Sequence, residues 1–338
     1  MKIKSLLIIL LRKSKTLSHI IRQKLFEQFL NFKDFDNRQH RILPKKSHFT
    51  NSNICTSNCI FCAYQYNQDP KMIMSDDLFE ICCTQLASLQ DNSWVSITPT
   101  VGEPFTDEGL FNKISIAKKH GINRVETYSN GTSLKINSDK ALDSMLDELH
   151  ISFPDFNEKE YQIIFRTNNY KISLEGIHNL LQKHKDRRSN LFIHINIRNR
   201  RKPELILEEE DFVKFVEPFL SDKVKISFTY KYDNWGGLIK QEDLPEGMNL
   251  QPVNNKLGKM CRRLFELMFL PNGDVKLCGC RYLGTLFDDL IIGNIYQNNI
   301  RDIWFGKKAY KLRGEFFKGN TPSVCKNCSA YKSLPYNF

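Results

Sequence analysis

Hydrophobic and polar positions repeat along this chain with two periods. Between about residues 48 and 240, short apolar runs alternate with longer stretches whose apolar residues recur every three or four positions. The first pattern reads as β-strand and the second as amphipathic helix, so the region predicts repeated βα units on a parallel sheet. Predicted strands are Val95–Ile97, Arg124–Tyr128, Leu149–Phe153, Leu191–Ile197 and Val224–Thr229, with a first strand just before Cys55. Helices are predicted at about 75–89, 107–120, 138–147, 172–185 and 208–220. This α/β pattern suits an open, partial (β/α)6 barrel, and a doubly wound sheet carries the same periodicity. In both architectures ligands gather at the carboxyl ends of the strands.

The pattern changes after the Gly236-Gly237 pair. A polar linker leads to cysteine-bearing loops with short strands, and Asn272-Gly273 between two apolar runs predicts a hairpin. The chain therefore divides into a basic N-terminal helical extension (1–45), an α/β barrel (46–240) and a small cysteine-rich C-terminal domain (255–335). In the extension, the apolar run Leu6–Leu11 is too short for a membrane span and no small-residue cleavage site follows it. It reads as basic amphipathic helix that packs on the body, with contact to a membrane surface as the alternative.

Composition narrows the function classes. With 41% apolar residues the chain can build a sizeable core, and a net charge of +11 fits either a solvated basic surface or an anionic partner. No aromatic-rich RNA motif or recognition-helix pattern supports a nucleic-acid partner. Ten cysteines without a secretory signal argue against a disulfide framework and for a cytoplasmic location. Clustered thiols in that compartment usually bind metal. Cys82 and Cys83 lie within a helical pattern and read as buried core residues. The other eight fall in two groups.

Cys55, Cys59 and Cys62 occupy one short loop after the first predicted strand. Three thiolates at this spacing can hold three corners of a cubane iron-sulfur cluster, since soft sulfur suits iron. Zinc would require a fourth ligand, and the nearest histidines, His40 and His48, precede the strand. Three ligands leave one iron open for chemistry.

At these residues the chain resembles the radical S-adenosylmethionine superfamily, whose CxxxCxΦC loop is matched with Phe61 as the aromatic Φ. The resemblance implies a [4Fe-4S] cluster that chelates and cleaves S-adenosylmethionine, releasing a 5′-deoxyadenosyl radical. Gly102 and Glu103, after the second strand, resemble the family's GGE motif, with Val101 in place of the first glycine. Gly102 would permit close backbone approach and Glu103 would accept hydrogen bonds from the amino group of the bound molecule. Ser129 and Asn130 resemble its TNG-like segment, and Ser152 its strand-four serine near the ribose or methionine. Arg198, ending the fifth strand, can pair with the carboxylate or be solvated. Trp235 either approaches the ligand or closes the barrel mouth.

The C-terminal segment, from Cys261 through PNGDVKLCGC and a GNI segment to Cys325 and Cys328, resembles the auxiliary-cluster extension called SPASM or, when shortened, twitch. A full module holds two clusters. The five cysteines here suffice for one, giving Cys261, Cys278, Cys325 and Cys328, with Cys280 spare or in place of Cys278. Four-cysteine zinc is the alternative. A second cluster would take or relay an electron, which suggests net oxidation of a substrate. The expectation is thus a radical oxidoreductase with two [4Fe-4S] clusters, S-adenosylmethionine, a small-molecule or peptide substrate and a flavodoxin- or ferredoxin-type electron donor. A peptide maturase and, from another class, a non-catalytic iron-sulfur or zinc protein binding nucleic acid are the competing readings.

Overall fold

The structure is a computed structural model that describes residues 42–44, 46–89, 94–253 and 260–332. The helical extension expected at 1–45 lies outside the described residues, apart from 42–44. No described helix is long and apolar enough to cross a membrane.

Six parallel strands form the barrel wall: β1 (Ser47–Phe49), β2 (Trp94–Ile97), β3 (Arg124–Ser129), β4 (Glu148–Phe153), β5 (Phe192–Arg198) and β6 (Val224–Thr229). They stand side by side in chain order, whereas a doubly wound sheet would reverse direction partway. The wall is therefore the partial barrel. Helices α1 (Asp76–Leu89), α2 (Leu110–Lys119), α3 (Leu134–Asp143), α4 (Glu158–Phe165), α5 (Tyr170–Asp186), α6 (Pro203–Leu207) and α7 (Glu210–Phe215) fill the connections. Cys82 and Cys83 are buried on α1.

Side chains alternate along each strand with period two. Leu149, Ile151 and Phe153 of β4 and Ile193, Ile195 and Ile197 of β5 are fully buried, while the intervening positions are polar and half-buried. On that polar face, Glu126 pairs with Lys46 and accepts the Trp94 indole N–H at 3.0 Å. Glu148 pairs with Arg124 and lies 3.2 Å from His150 Nε2, and the His150 ring stacks on Tyr128 at 4.2 Å. Glu126, Glu148 and His150 stand close enough together to suggest a metal site. Their two carboxylates already face two cations, so the group reads as an ion-pair plug.

The C-terminal strands β9 (Leu267–Phe269), β10 (Asp274–Leu277) and β11 (Ile291–Asn294) extend the same sheet. β9 lies parallel to β1, with Ser47 opposite Leu267, and β10 turns back antiparallel through the Asn272-Gly273 hairpin. The result is one nine-stranded sheet, beside a two-stranded ribbon of β7 (Lys231–Tyr232) and β8 (Asn249–Leu250). Helices α8 (Ile300–Trp304) and α9 (Lys307–Phe317) then lead to Cys325 and Cys328.

Two sequence expectations shift. The third helix runs 134–143 rather than 138–147, because Ser133 and Leu134 follow directly on the Asn130-Gly131 turn. Helix α4 was absent from the expected pattern. Its capping signal is present in Asn157, whose side chain accepts from the Lys159 and Glu160 amides.

Candidate cluster and cofactor sites

The segment between β1 and Cys55 is held to the loop after β2. The Asn51 amide donates to the Pro104 carbonyl at 2.9 Å and to Asp107, and Ser52 and Thr106 hydroxyls meet at 2.7 Å. The Glu103 amide donates to the Ile54 carbonyl at 2.7 Å. Gly102, at φ +138°, makes the approach possible: a Cβ there would lie 2.5 Å from the Ser52 carbonyl oxygen. Cys55 and Glu103 are thereby drawn onto one site.

The cysteine loop is pinned from its other side by the unexpected helix. The Asn58 and Ile60 amides donate to the Phe165 and Ile164 carbonyls of α4, at 3.2 and 2.9 Å, using acceptors that a helix end leaves free. Phe61 stacks on Tyr232 at 5.0 Å, and the Cys55 amide donates to the Tyr64 hydroxyl at 3.1 Å.

Glu103 is 2% exposed. Its carboxylate accepts from Ser129 Oγ at 2.8 Å and from the Asn130 and Phe105 amides at 2.7 and 3.3 Å. Burial nevertheless pushes its carboxyl up to about 7, the three donors opposing that shift. The Asn130 side-chain amide donates to Thr56 Oγ1 at 3.0 Å and Ser57 Oγ at 3.1 Å, and stands 3.9 Å from Cys55 Sγ. Burial and the nearby Glu103 charge push the Cys55 thiol up to about 12. Burial also raises Cys59 and Cys62, each partly opposed by Arg198.

Gly102, Glu103, Ser129 and Asn130 thus gather beside Cys55, Cys59 and Cys62. Ser152 and Arg198 stand farther round the wall. Ser152 is in register with Asn196, and Arg198 donates to Asn196 at 3.2 Å with its guanidinium 5.5 Å from the centre of the Phe61 ring.

The second group closes on one enclosed cavity lined by Cys261, Cys278, Cys280, Cys325 and Cys328 with Arg263, Leu264, Arg281, Phe316 and Tyr331. Cys278 and Cys280 are hydrogen-bonded, which lowers Cys280 and raises Cys278. Cys278 adopts left-handed backbone, φ 68°, and Gly279 lies against the His48 ring of β1 with its carbonyl accepting from Thr100 at 2.9 Å. The two sites therefore meet across the seam between β1, β2 and the C-terminal loops.

Asp233, Asn234 and Trp235 tie them together. The Trp235 indole donates to the Phe61 carbonyl of the first loop at 2.9 Å. Asn234 donates to the Asn327 carbonyl at 2.9 Å, and its backbone amide donates to Ser329 Oγ at 2.8 Å, beside Cys328. Asp233 pairs with Arg281 and accepts from Ser329 Oγ at 2.6 Å. Sequence reasoning named Trp235 without this role and missed Arg263 and Arg281, whose only signal was adjacency to cysteines.

Both donor sets fit iron-sulfur clusters. Each gathers thiols with nearby N–H groups, and at the second site three guanidinium nitrogens, Nε of Arg263 and Nε and Nη1 of Arg281, lack any protein acceptor.

Comparison with known proteins agrees. Residues 51–208 match the family profile described as the radical SAM superfamily, and residues 261–329 match an iron-sulfur cluster-binding domain named SPASM. No protein of curated function matches. Among solved structures, Streptococcus suis SuiB bound to precursor peptide SuiA is similar at 15% identity and TM-score 0.61, over 94% of this chain and 78% of that one. BtrN in complex with AdoMet and 2-DOIA is similar at 16% and 0.52, over 85% and 93%. Native anSMEcpe with bound AdoMet is similar at 14% and 0.54, over 84% and 89%. At these identities the likeness speaks to the fold.

Proposed function

Because the chain belongs to the radical SAM superfamily and carries a C-terminal SPASM-type iron-sulfur domain, we propose that it oxidises its substrate by two electrons through hydrogen abstraction. Iron-sulfur clusters and S-adenosylmethionine are its cofactors. The chemistry supplied by the bound cofactors is one-electron cleavage of the sulfonium, giving a 5′-deoxyadenosyl radical that removes one hydrogen atom from the substrate. The substrate must then lose one proton and one further electron.

Cys55, Cys59 and Cys62 would hold the first cluster, and Cys261, Cys278, Cys325 and Cys328 the second, with Cys280 in place of Cys278 as the variant of that set. Glu103, ionised, accepts from the amino group of S-adenosylmethionine, and Gly102 lets the ligand approach the backbone. Asn130 and Ser129 keep Glu103 and the loop in register. Ser152 and Arg198 would serve the ribose and the carboxylate of the bound molecule. Cys261, Cys278, Cys325 and Cys328 would hold a cluster able to take the substrate's remaining electron, and a flavodoxin- or ferredoxin-type donor would supply the first. The observation that carries the reading is the hydrogen-bonded link from Phe61 through Trp235, Asn234 and Asp233 to Arg281 and Ser329, which joins the two sites.

A peptide-modifying maturase is the second reading, favoured by the likeness to a structure solved with a precursor peptide. Anaerobic reconstitution with iron and sulfide tests the shared core: about eight irons per chain are expected from two cubane clusters. Reduction with S-adenosylmethionine should then yield 5′-deoxyadenosine. Bound zinc, or no nucleoside product, would defeat the proposal. Turnover of a small alcohol against that of a precursor peptide separates the two readings.

A further inference from the structure

Among the described residues, four of the nine buried side-chain atoms without a hydrogen-bond partner belong to arginines. They are Nε of Arg263, Nε and Nη1 of Arg281 and Nη2 of Arg313. A buried cationic donor left without an acceptor is costly, more so than a neutral one. Three of them, on Arg263 and Arg281, belong to one cavity wall and point to an acceptor that the polypeptide itself does not supply.

Two of the three side chains stand among the same cysteines. Arg263 and Arg281 line the cavity formed by the five C-terminal thiols. Arg281 is 1% exposed, and its protein acceptor is Asp233, reached through Nη2. Arg263 spends Nη1 on Glu266 at 2.9 Å. Arg313, also 1% exposed, stands one layer behind. It donates to the Leu264 and Trp304 carbonyls at 3.2 and 3.1 Å and lies 4.0 Å from the centre of the Trp304 ring. Leu264 is itself part of the cavity wall.

We propose that Arg263 and Arg281 are positioning residues that hold the reduction potential of the second cluster high. The inference rests on reading the C-terminal cysteines as a [4Fe-4S] site and deepens it. Reduction adds one electron and one negative charge to a thiolate-bound cluster. Buried cations, and N–H groups donating to sulfur, stabilise the reduced form over the oxidised one. Arginine suits the task because its guanidinium keeps its charge and presents several donors in a fixed fork. Among the described residues, the first loop has no equivalent pair of buried guanidinium groups. Its nearby cation, Arg198, is half-buried and already bonded to Asn196. The asymmetry favours electron donation at the first site and electron acceptance at the second.

The test is an anaerobic redox titration of the two-cluster protein, followed by electron paramagnetic resonance with S-adenosylmethionine present. The wave whose spectrum is unchanged by that ligand belongs to the second cluster. Arg281→Gln and Arg263→Gln should each lower the reduced-to-oxidised ratio of that wave about tenfold at a fixed potential, or about 59 mV for a one-electron couple. Glu266→Gln, which removes a carboxylate paired with Arg263, should shift it the opposite way. Should Arg281→Gln fail to load iron, Arg281→Lys keeps the charge without the fork and should give a smaller shift of the same sign. Two loaded clusters with the second wave unmoved in the arginine variants, or shifted the same way by Glu266→Gln, would overturn this inference alone. Zinc, or about four irons in the unsubstituted protein, would instead overturn the reading of the site.

Discussion

The two cysteine sites solve different electrostatic problems with the same ligand atom. Around Cys55, Cys59 and Cys62 the partners are a buried carboxylate, amides and hydroxyls, and the three residues are half-buried. Around the C-terminal thiols the partners are guanidinium groups, and three of the five cysteines are buried. A site that must admit a ligand bearing amino and carboxylate groups keeps an opening and polar acceptors. One that only stores charge can close and surround itself with cations. The difference teaches that thiol count alone does not define a cluster's task, because the field around it sets which way electrons run.

The comparison breaks most sharply at the ligands. Cys59→Ala should abolish 5′-deoxyadenosine formation, a loss of at least about 10³-fold, and halve the iron content from about eight to about four. Cys325→Ala should also cost about half the iron, yet spare some nucleoside formation while stopping substrate turnover. Equal loss of nucleoside in both variants, measured chromatographically, would show that the second cluster is needed for folding.

Gly102→Ala comes next. The new methyl would meet the Ser52 carbonyl at 2.5 Å in a backbone region closed to side chains. The expected cost is about 2–3 kcal/mol, with S-adenosylmethionine affinity falling tenfold or more in equilibrium dialysis. Unchanged affinity would remove the turn from the site.

Glu103 gives a pH test. Its carboxyl is raised to about 7 by burial, against the donors Asn130, Ser129 and Phe105. Only the ionised form accepts on both oxygens, so affinity for S-adenosylmethionine should decline as pH falls below about 7, approaching tenfold per unit. Glu103→Gln should bind more weakly at pH 8 and show a flatter profile between pH 6 and 8. Identical profiles would exclude Glu103 as the titrating acceptor.

The smallest expected effect sharpens the link between the sites. Trp235→Phe removes the donor to the Phe61 carbonyl and should destabilise the protein by about 1 kcal/mol, as for one hydrogen bond. Nucleoside formation should exceed substrate turnover more than in the parent, measured as the ratio of the two products. An unchanged ratio would make the contact structural only.

Much of this architecture was legible in local pattern. Period-two strands located β2 to β6 within a residue or two, since each buries one face on helices and turns the other inward. Helix α4 escaped because its short apolar stripe, Tyr161, Ile164 and Phe165, merges with the strand-end residues before it. Yet its carbonyls anchor the cysteine loop. The Cys55–Cys62 spacing pointed to the cofactor unaided because all three cysteines lie on one short loop.

The sequence by itself determined the cysteine spacing, the glycine at residue 102 and the order of the six barrel strands, because each depends on neighbours a few residues apart. The tertiary structure alone decided that β9 would pair with β1, that Asn234 would clasp the loop of Cys328, and that Arg263 and Arg281 would enclose the second thiol cavity. Those outcomes depend on burial and on partners about two hundred or more residues apart in the case of β1 and β9. No local spacing records which distant strand or loop a segment will meet.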